Sequence, residues 1–470
     1  MDRLPATDST ASRRAVLAVG AGAVAGALSG CVGLPVSVEL RQFDGSDPLV
    51  TYDRVGTGET ALSYWTSQFY MPAESGDSQP ELSPLTGPFY RTFKQESAQP
   101  AATPALRAQH EEWARANPEY RIGLSYRDLD GWKQALSTQP PDGSTLNNPW
   151  IPELYDGLQP LDGYVSNVDD FFPFVREATV HDGSLLAAWK YTDCRCLYYR
   201  QDLIDEYAGG DPPRTWEELV NVGSEIAESE GIDGFQFRPT TSTNVPFFWG
   251  QGGRLIDDSG EVVLASPENR QAMQRTLSFL QRLVEAGASP ESTVGITEYE
   301  TLARNARRGE VAMFVGGSWQ IEKDLKNRVD GDGWQRWRVA EIPMRRADQH
   351  STAVGGFAEG TFREGNTGGA AAVKEFVAKF VEPASMGRYC EAAGQLPTRR
   401  SVFDDSNLYS PDAFPYQEQF REFLEHGRAP RPFPVYAAVS TAFEAAIRAV
   451  VSGQSTPREA VDRMVQQLEG

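Results

Sequence analysis

Hydrophobic and polar positions alternate in short segments along most of the chain, and the period changes repeatedly between two and about 3.6 residues. Residues 60–65 and 120–126 alternate as strands do, and a helical pattern at 106–116 lies between them. The same change of period recurs where a helical stretch at 267–286 and another at 298–308 precede an apolar run at 311–315. This pattern predicts an α/β fold with a mostly parallel sheet covered by helices.

Several helix ends are marked by residues that cap helices. Thr215 and Glu218 have the spacing of a capping box, and Ser266 stands directly before Pro267 at the start of the long helical stretch. Near the end of the chain, apolar residues recur at helical spacing from Val435 to Val450 and stop before Gly453. These signals predict helices that begin near residues 216 and 267 and a helix that ends near 452.

The segment 182–203 consists of two apolar extended pieces with a polar interruption between them. The pieces cover 184–189 and 194–199, and Lys190, Tyr191, Thr192 and Asp193 separate them. In one interpretation the chain leaves one lobe here, crosses a cleft that Asp193 faces, and enters a second lobe. In the other, the segment is a single buried strand with a polar bulge. The pattern alone is compatible with both.

Length and charge restrict the classes of protein that need to be considered. A chain of 470 residues predicts two to three domains. The 65 acidic residues exceed the 44 basic ones, which argues against binding of nucleic acid or anionic membranes through a basic face. Only 7 of the 44 basic residues are Lys, leaving 44 − 7 = 37 Arg. An acidic surface poor in lysine suggests a halophilic protein.

The N-terminus has the pattern of an export signal. Ser12-Arg13-Arg14 precedes an apolar run at 15–28, and Leu28-Ser29-Gly30-Cys31 resembles a lipobox. We therefore expect a twin-arginine/lipoprotein signal at 1–31, with Cys31 lipidated and the protein anchored at the outer face of the membrane. Residues 32–58 have the composition of a flexible tether, and residues 71–104 that of a surface insertion.

The cysteines and histidines predict neither a disulfide framework nor a metal site. Without Cys31 an odd number remains, Cys194, Cys196 and Cys390, and one of the first two could pair with Cys390. A Cys-x-Cys with His181 as the only nearby histidine is a poor zinc site. We therefore assign no metal and no cofactor.

The chain also lacks common catalytic motifs. There is no glycine-rich phosphate loop followed by Lys and Ser/Thr, no HExxH and no GxSxG, and the four histidines form no pattern. We expect a protein that is not an enzyme. Two carboxylates facing each other across a cleft could still make a glycan hydrolase, which the sequence leaves open.

Four tryptophans stand beside glycines or polar turns, where ligands of α/β proteins often bind. They are Trp65, Trp150, Trp249 and Trp319. Most tryptophans are core residues, and each of these could be one. Indole faces next to Asp, Asn and Gln nevertheless suit sugars, because the C–H groups of the sugar pack on the ring and its hydroxyls need polar partners.

A series of weak motifs follows in a fixed order along residues 60–468, and this order is specific. The motifs are TALSYW (60–65), PPD (140–142), PWIPELYDGLQPL (149–161), DGSLLAAW (182–189), CLYYRQDL (196–203), PPRTWEEL (212–219), GQGGRLIDDSG (250–260), RRGEVAMFVGGSW (307–319), VGGF (354–357), GQLPTR (394–399) and the stretch 434–461. In this order they resemble the family 1 extracellular solute-binding proteins of ABC importers, the maltose-binding-protein-like group.

The resemblance implies a periplasmic-binding-protein-like fold, in which two α/β lobes joined by crossing hinge strands close on a ligand. The first lobe would contain residues 59–190 and 355–400, and the second 191–354 and 401–470. The hinge would lie at 189–193 and 352–357. The ligand-binding residues that the resemblance implies are Asn147, Asn148, Trp150, Asp193, Trp319, Gly356, Phe357 and Tyr436. The pattern of tryptophans beside glycines and polar residues adds Trp65, Trp249 and Gln251.

The function implied by the resemblance is that of the lipid-anchored substrate-binding component of an ABC importer. It would bind a sugar or oligosaccharide as a monomer and deliver it to a membrane permease. A carbohydrate hydrolase and a surface adhesin or sensor are the alternatives from other classes. A polyol phosphate or a polyamine could also be the solute, and Arg195 and Arg399 are candidates to bind a phosphate group.

Overall fold

The computed structural model describes residues 51–67, 103–127, 131–326, 331–365, 368–411, 416–430 and 433–469. The strands are β1 (Thr51–Val55), β2 (Thr60–Ser67), β3 (Tyr120–Arg127), β4 (Gly143–Asn147), β5 (Val180–His181), β6 (Ser184–Leu185), β7 (Ala188–Arg200), β8 (Asp233–Gln236), β9 (Val311–Gly317), β10 (Trp337–Ala340), β11 (Thr352–Thr361) and β12 (Gly427–Arg428).

The α-helices are α1 (Thr103–Ala116), α2 (Trp132–Thr138), α3 (Pro173–Thr179), α4 (Gln201–Tyr207), α5 (Trp216–Glu230), α6 (Thr241–Trp249), α7 (Pro267–Glu285), α8 (Tyr299–Arg307), α9 (Ala370–Lys379), α10 (Pro383–Ala393), α11 (Arg400–Asp404), α12 (Gln417–Glu425), α13 (Tyr436–Val451) and α14 (Pro457–Glu469). Short 3₁₀ segments cover Asn148–Gly157, Val168–Asp170, Glu291–Gly295 and Gly331–Arg336, and Ile321–Lys326 is a π-helix.

A single large sheet runs through the molecule in the order β1-β3-β2-β4-β11-β7-β9-β8. The pairs β2–β3, β2–β4 and β8–β9 are parallel, as expected for strands connected through helices. The pairs β4–β11, β11–β7 and β7–β9 are antiparallel. The α/β class is therefore confirmed. The sheet is mixed rather than mostly parallel, because the long central strands β7 and β11 run antiparallel to each other and to their outer neighbours β9 and β4.

The strands β7 and β11 join the two halves of the sheet. The first part of β7 pairs with β11, and its residues 195–199 pair with β9 of the second half. Residues 357–361 of β11 pair with β4 of the first half. The segment from 188 to 200 is thus one uninterrupted strand, and this strand also crosses from one half to the other.

A bulge lies at Lys190, within the polar interruption of β7, because the neighbouring residues Phe357 and Ala358 of β11 lie opposite Tyr191 and Trp189. The register of β11 against β7 shifts between Phe357 and Ala358. Gly356 next to it has φ +138°, and a Cβ there would lie 2.3 Å from the carbonyl oxygen of Tyr191. Only glycine fits this position, so the close approach of β11 to β7 beside the bulge depends on the VGGF sequence.

Two hydrophobic cores pack against this sheet. The first contains Trp113 and Phe376, and the second contains Phe235 and Leu280. The range 401–470, which the sequence assigns as a whole to the second lobe, divides between them. Its helices α11 and α12 pack in the first core through Val402, Phe420 and Leu424, and α13 and α14 pack in the second.

The predicted helix caps are present. The side chain of Thr215 accepts from the backbone N–H of Glu218, whose carboxylate accepts from the backbone N–H of Thr215. Ser266 accepts from the N–H of Asn269 at 3.3 Å. Satisfied N–H groups of this kind fix where the helices begin.

The tether predicted for residues 32–58 ends earlier than expected. Residues Thr51–Val55 form β1, which pairs antiparallel with β3 at the edge of the sheet. The export signal, Cys31 and nearly all of the predicted insertion at 71–104 lie outside the described residues. Within the described ranges, no helix is both long and apolar enough to cross a bilayer.

Cys194, Cys196 and Cys390 are buried free thiols, so the pairing with Cys390 that the sequence left open is absent from this structure. Burial raises the pKa of all three thiols, which keeps them neutral.

Candidate functional site

The central strands carry a cluster of polar and aromatic side chains that we call the crossing-strand site: Asp193, Arg195, Tyr299 and Trp319. Asp193 and Arg195 are two residues apart on β7, so they point to the same face of the sheet. Asp193 lies opposite Gly355 of β11, and Arg195 lies opposite Gly317 of β9. The site therefore sits where the two halves of the sheet meet.

Arg195 holds the cluster together. It forms an ion pair with Asp193 and donates from Nε to the hydroxyl of Tyr299 at 2.8 Å. Its guanidinium carbon lies 4.8 Å from the ring centre of Trp319, within the range of a cation–π contact. The rings of Tyr299 and Trp319 meet edge to face at 5.0 Å.

The position of the Trp319 indole depends on Gly317. A Cβ at Gly317 would lie 2.0 Å from an atom of the indole ring, so the ring packs directly on the glycine backbone. The GGSW sequence at the end of β9 thereby turns the indole back over the strand, towards Arg195. Any larger residue at 317 would displace the ring.

The ion pair between Asp193 and Arg195 is partly exposed to solvent. The side chain of Asp193 is 15% exposed and that of Arg195 is 11% exposed. Burial raises the pKa of Asp193, and the Arg195 guanidinium offsets part of this rise. A carboxylate and a planar guanidinium at the edge of solvent can both bond to the hydroxyl groups of a ligand.

A second guanidinium extends the site into the second half. The guanidinium carbon of Arg238 lies 3.9 Å from the ring centre of Tyr299. Burial raises the pKa of Tyr299, but the charges of Arg195 and Arg238 outweigh burial and leave it below its ordinary value. The Tyr299 oxygen also lies 3.4 Å from the hydroxyl of Ser242 on α6.

On the first half of the sheet, Asn147 is the nearest predicted residue. Asn147 ends β4 and lies opposite Phe357, which in turn lies opposite Tyr191. The rings of Phe357 and Tyr191 are 6.1 Å apart and tilted. Because Tyr191 and Asp193 are two residues apart on β7, Asn147 and Phe357 lie in the row next to the one that contains Asp193 and Gly355, on the same face of the sheet.

A groove of about 520 Å³ lies beside α6 and α13, and we call it the inter-core groove. Its walls come from both cores, since Phe174 belongs to the first and Trp249 to the second. The residues that line it include Glu177, Arg254, His350, Glu425, His426 and Tyr436. Burial raises the pKa of Tyr436, and the nearby Glu444 raises it further.

Comparison with protein families identifies the class of protein. Residues 108–415 match the family described as bacterial extracellular solute-binding protein. The chain belongs to this family. A curated relative, a probable ABC transporter-binding protein of Deinococcus radiodurans, is 24% identical over 329 residues, which is 64% of this chain and 73% of the relative.

Solved structures with the same fold support this assignment. A maltose-bound MalE protein of T. maritima is 21% identical with a TM-score of 0.66, covering 87% of this chain and 99% of its own. The sugar-binding protein MalE of Xanthomonas citri is 20% identical with a TM-score of 0.69, covering 87% and 96%. The cyclic α-maltosyl-1,6-maltose binding protein of Arthrobacter globiformis is 19% identical with a TM-score of 0.66, covering 87% and 98%.

The solute-binding protein brings some of the residues expected from its sequence together and separates others. Asp193, Trp319, Asn147, Gly356 and Phe357 lie along the central strands. Trp249 and Tyr436 line the inter-core groove. Trp65, at the end of β2, and Trp150 are partly buried against the first core, and Trp150 meets Trp132 edge to face at 5.5 Å.

Three further expected residues have structural contacts. Asn148 is buried at the start of its 3₁₀ segment. The amide nitrogen of Gln251 donates to the carbonyl of Phe247 at 3.0 Å and to the hydroxyl of Thr276 at 3.0 Å, and its oxygen accepts from Arg275 at 2.7 Å. Arg399, considered for a phosphate, is buried and donates to the carbonyls of residues 166, 167 and 381.

Sequence reasoning did not find Tyr299 and Arg238, and it considered Arg195 only as a phosphate ligand. A signal for Arg195 exists, because it alternates with Asp193 on a strand and so shares its face. Tyr299 and Arg238 carry no such signal. They reach the site through the pairing of β8 and β9 and the position of α8, which are separated from β7 in the sequence.

Proposed function

We propose that this solute-binding protein binds a sugar or oligosaccharide at the crossing-strand site and delivers it to the permease of an ABC importer. The observation that carries the proposal is the partly exposed Asp193–Arg195 pair beside the Trp319 indole, on the strands that join the two halves. Such a group offers both an aromatic face for sugar C–H groups and charged partners for hydroxyls.

The fold comparisons support a sugar as the ligand. The similar structures include proteins described as bound to maltose or as binding cyclic maltosyl-maltose. At about one fifth identity these similarities establish the fold, so the sugar class rests on the chemistry of the site. We include Asn147, Phe357 and Tyr299 in the proposed site, and Trp65 and Trp150 as candidates on the side of the first core.

A hinge at residues 189–193 and 352–357 is part of the proposal. These residues are the segments of β7 and β11 in which strand pairing changes from one half to the other. Closure about them would bring the two halves together on the solute. The predicted lobes, 59–190 with 355–400 and 191–354 with 401–470, are part of the same proposal.

Export and anchoring are also proposals. The twin-arginine pattern and the lipobox support transfer across the membrane and lipidation at Cys31. Membership of an extracellular family agrees with a location outside the cytoplasm. Radiolabelled palmitate should be incorporated by the intact chain and not by Cys31→Ala, and equal labelling of both would contradict the anchor.

An anionic solute is the second candidate, and one observation favours it. Two guanidinium groups, those of Arg195 and Arg238, flank the Tyr299 ring. Asp193 neutralises the first, and Arg238 is engaged with the carbonyl of Thr297 at 2.9 Å. A neutral sugar therefore remains the better match, and a polyol phosphate is the competing one.

A thermal-shift panel separates these candidates. The purified chain is mixed in turn with maltose, maltotriose, trehalose, a cyclic maltodextrin, a polyol phosphate and spermidine. A bound solute raises the melting temperature by mass action. The proposal predicts a shift with at least one neutral sugar that persists in 1 M salt. A shift with the polyol phosphate or spermidine alone would overturn it, as would recovery of shortened oligosaccharides after incubation.

A further inference from the structure

Two of the four histidines of the chain meet in space although they are far apart in sequence. His350 and His426 stack with ring centres 4.6 Å apart and an angle of 19° between the planes. Glu341 joins them, since its Oε2 lies 2.6 Å from Nδ1 of His350. One ligand atom from each of the three residues lies within 4.8 Å of the others.

From this geometry we propose that Glu341, His350 and His426 form a binding site for a divalent transition-metal ion, with Zn²⁺ as the best match. Two imidazoles and one carboxylate are a ligand set that suits Zn²⁺, and a water molecule would complete a tetrahedron. Imidazole nitrogen disfavours Mg²⁺ and Ca²⁺, which prefer oxygen ligands.

The ligand atoms are close to the spacing that a metal requires. Around a tetrahedral zinc with bonds of about 2.1 Å, neighbouring ligand atoms are about 3.4 Å apart. Oε2 of Glu341 and Nδ1 of His350, which are 2.6 Å apart, must therefore separate by about 0.8 Å, and atoms as far apart as 4.8 Å must approach by about 1.4 Å. Rotation of the side chains can supply this, because His350 is 33% and Glu341 37% exposed and His426 is exposed.

The three ligands come from three different segments beside the crossing strands. Glu341 directly follows β10, and His350 stands two residues before β11. His426 directly follows α12, and its carbonyl accepts from the backbone N–H of Thr352 at 3.3 Å. A bound metal would tie these segments together at the start of β11.

The surroundings leave one side of the site accessible. Both histidines line the inter-core groove, together with the acidic residues Glu177 and Glu425 and the basic residues Arg254 and Arg428. Asp348, which is paired with Arg346, stands two residues before His350. An ion can thus enter from the groove and meet acidic as well as basic neighbours.

Isothermal titration of the purified chain with ZnCl₂ tests the proposal. We expect one ion per chain, with binding weakened more than about tenfold in His350→Gln and in His426→Gln. Glu341→Gln should weaken it as well. His181→Gln is the matched control, because His181 is also exposed but lies outside the cluster, stacked on Tyr155 at 4.2 Å.

Two further measurements exclude nonspecific metal binding and loss of folding in the variants as explanations. Co²⁺ should give the visible absorption of a tetrahedral site, and this absorption should vanish in the His350→Gln/His426→Gln double variant. Melting of each variant in a chelator should match the parent, because exposed side chains are changed. The proposal is overturned if Zn²⁺ does not bind at one equivalent, if the double variant binds it equally well, or if His181→Gln loses it to the same degree.

Discussion

The strands β7 and β11 carry two ion pairs that differ in their exposure to solvent. Lys190 of β7 pairs with Glu359 of β11, and their side chains are 2% and 0% exposed. Three residues further along β7, Asp193 pairs with Arg195 at 15% and 11% exposure. We call the first the sealed pair, and the second belongs to the crossing-strand site.

The sealed pair is surrounded by partners within the first core. Glu359 accepts from the hydroxyl of Tyr64 and, at 2.7 Å, from that of Thr145. The ammonium group of Lys190 lies 4.9 Å from the ring centre of Phe380. Such a pair holds two strands in register but cannot exchange a partner for a solute. In our proposal the partly exposed pair at the crossing-strand site exchanges partners with the solute, and this difference in exposure distinguishes a structural ion pair from a recognition pair on β7.

Breaking the sealed pair should have the largest effect on stability. Lys190→Met leaves the Glu359 carboxylate buried without its cation, which we expect to lower the free energy of unfolding by about 3–5 kcal/mol in urea titrations. In Lys190→Met/Glu359→Gln the buried charge is gone while the amide can still bond Tyr64 and Thr145. This double variant should be more stable than Lys190→Met alone, and the opposite order would contradict the account.

The pH dependence of the free energy of unfolding tests the surroundings of the sealed pair, because His110 lies near Lys190. Burial, and then the charge of Lys190, lower the pKa of His110 from 6.5 to about 4. The folded state therefore binds fewer protons than the unfolded state between these values, and stability falls as the pH drops from about 6.5 to about 4. The loss from this group should be at most about 3 kcal/mol.

Urea titrations at pH 7 and pH 4.5 measure this effect. In His110→Gln the fall in stability between the two pH values should be smaller than in the parent. His181→Gln serves as the control and should keep the parental pH dependence. An unchanged dependence in His110→Gln would show that His110 is not the group responsible.

At the crossing-strand site, Asp193→Asn should reduce solute binding much more than stability. A hydrogen bond to a charged group contributes about 1.5–3 kcal/mol, so affinity should fall roughly tenfold to 100-fold. The control is Asp202→Asn, which breaks an ion pair with Arg200 at the end of the same strand. Calorimetry should find parental affinity in the control, and a comparable loss in both variants would count against a direct contact.

Trp319→Ala should have a similar or smaller effect on binding, because it removes one stacking face. We expect a loss of about 1–3 kcal/mol in binding free energy. Trp334→Ala provides the comparison, since Trp334 is another partly buried indole that packs on the first core. If both variants bind the solute as the parent does, Trp319 is not part of the site.

The same two strands show how far sequence reasoning reaches. The capping box at Thr215 could be predicted, because it depends on residues that are close in sequence. The pattern around Asp193 left a crossing segment and a single buried strand with a polar bulge both open, because the choice depends on pairing with distant strands. The close approach of Gly356 to the carbonyl of Tyr191 could not be predicted, since the two residues lie on different strands. Tyr299 in the crossing-strand site, and His426 beside His350, likewise meet their partners only through non-local packing.

Hydrogen exchange measured by mass spectrometry, with and without the sugar that the thermal-shift panel selects, tests the central claim most directly. We expect slower exchange of backbone amides at 189–195, 317–319 and 352–357 in the complex. The amides at 372–378 of α9, which packs in the first core, should exchange at nearly the same rate with and without the sugar. Protection confined to segments away from β7 and β11, or none at saturating sugar, would contradict binding at the crossing-strand site.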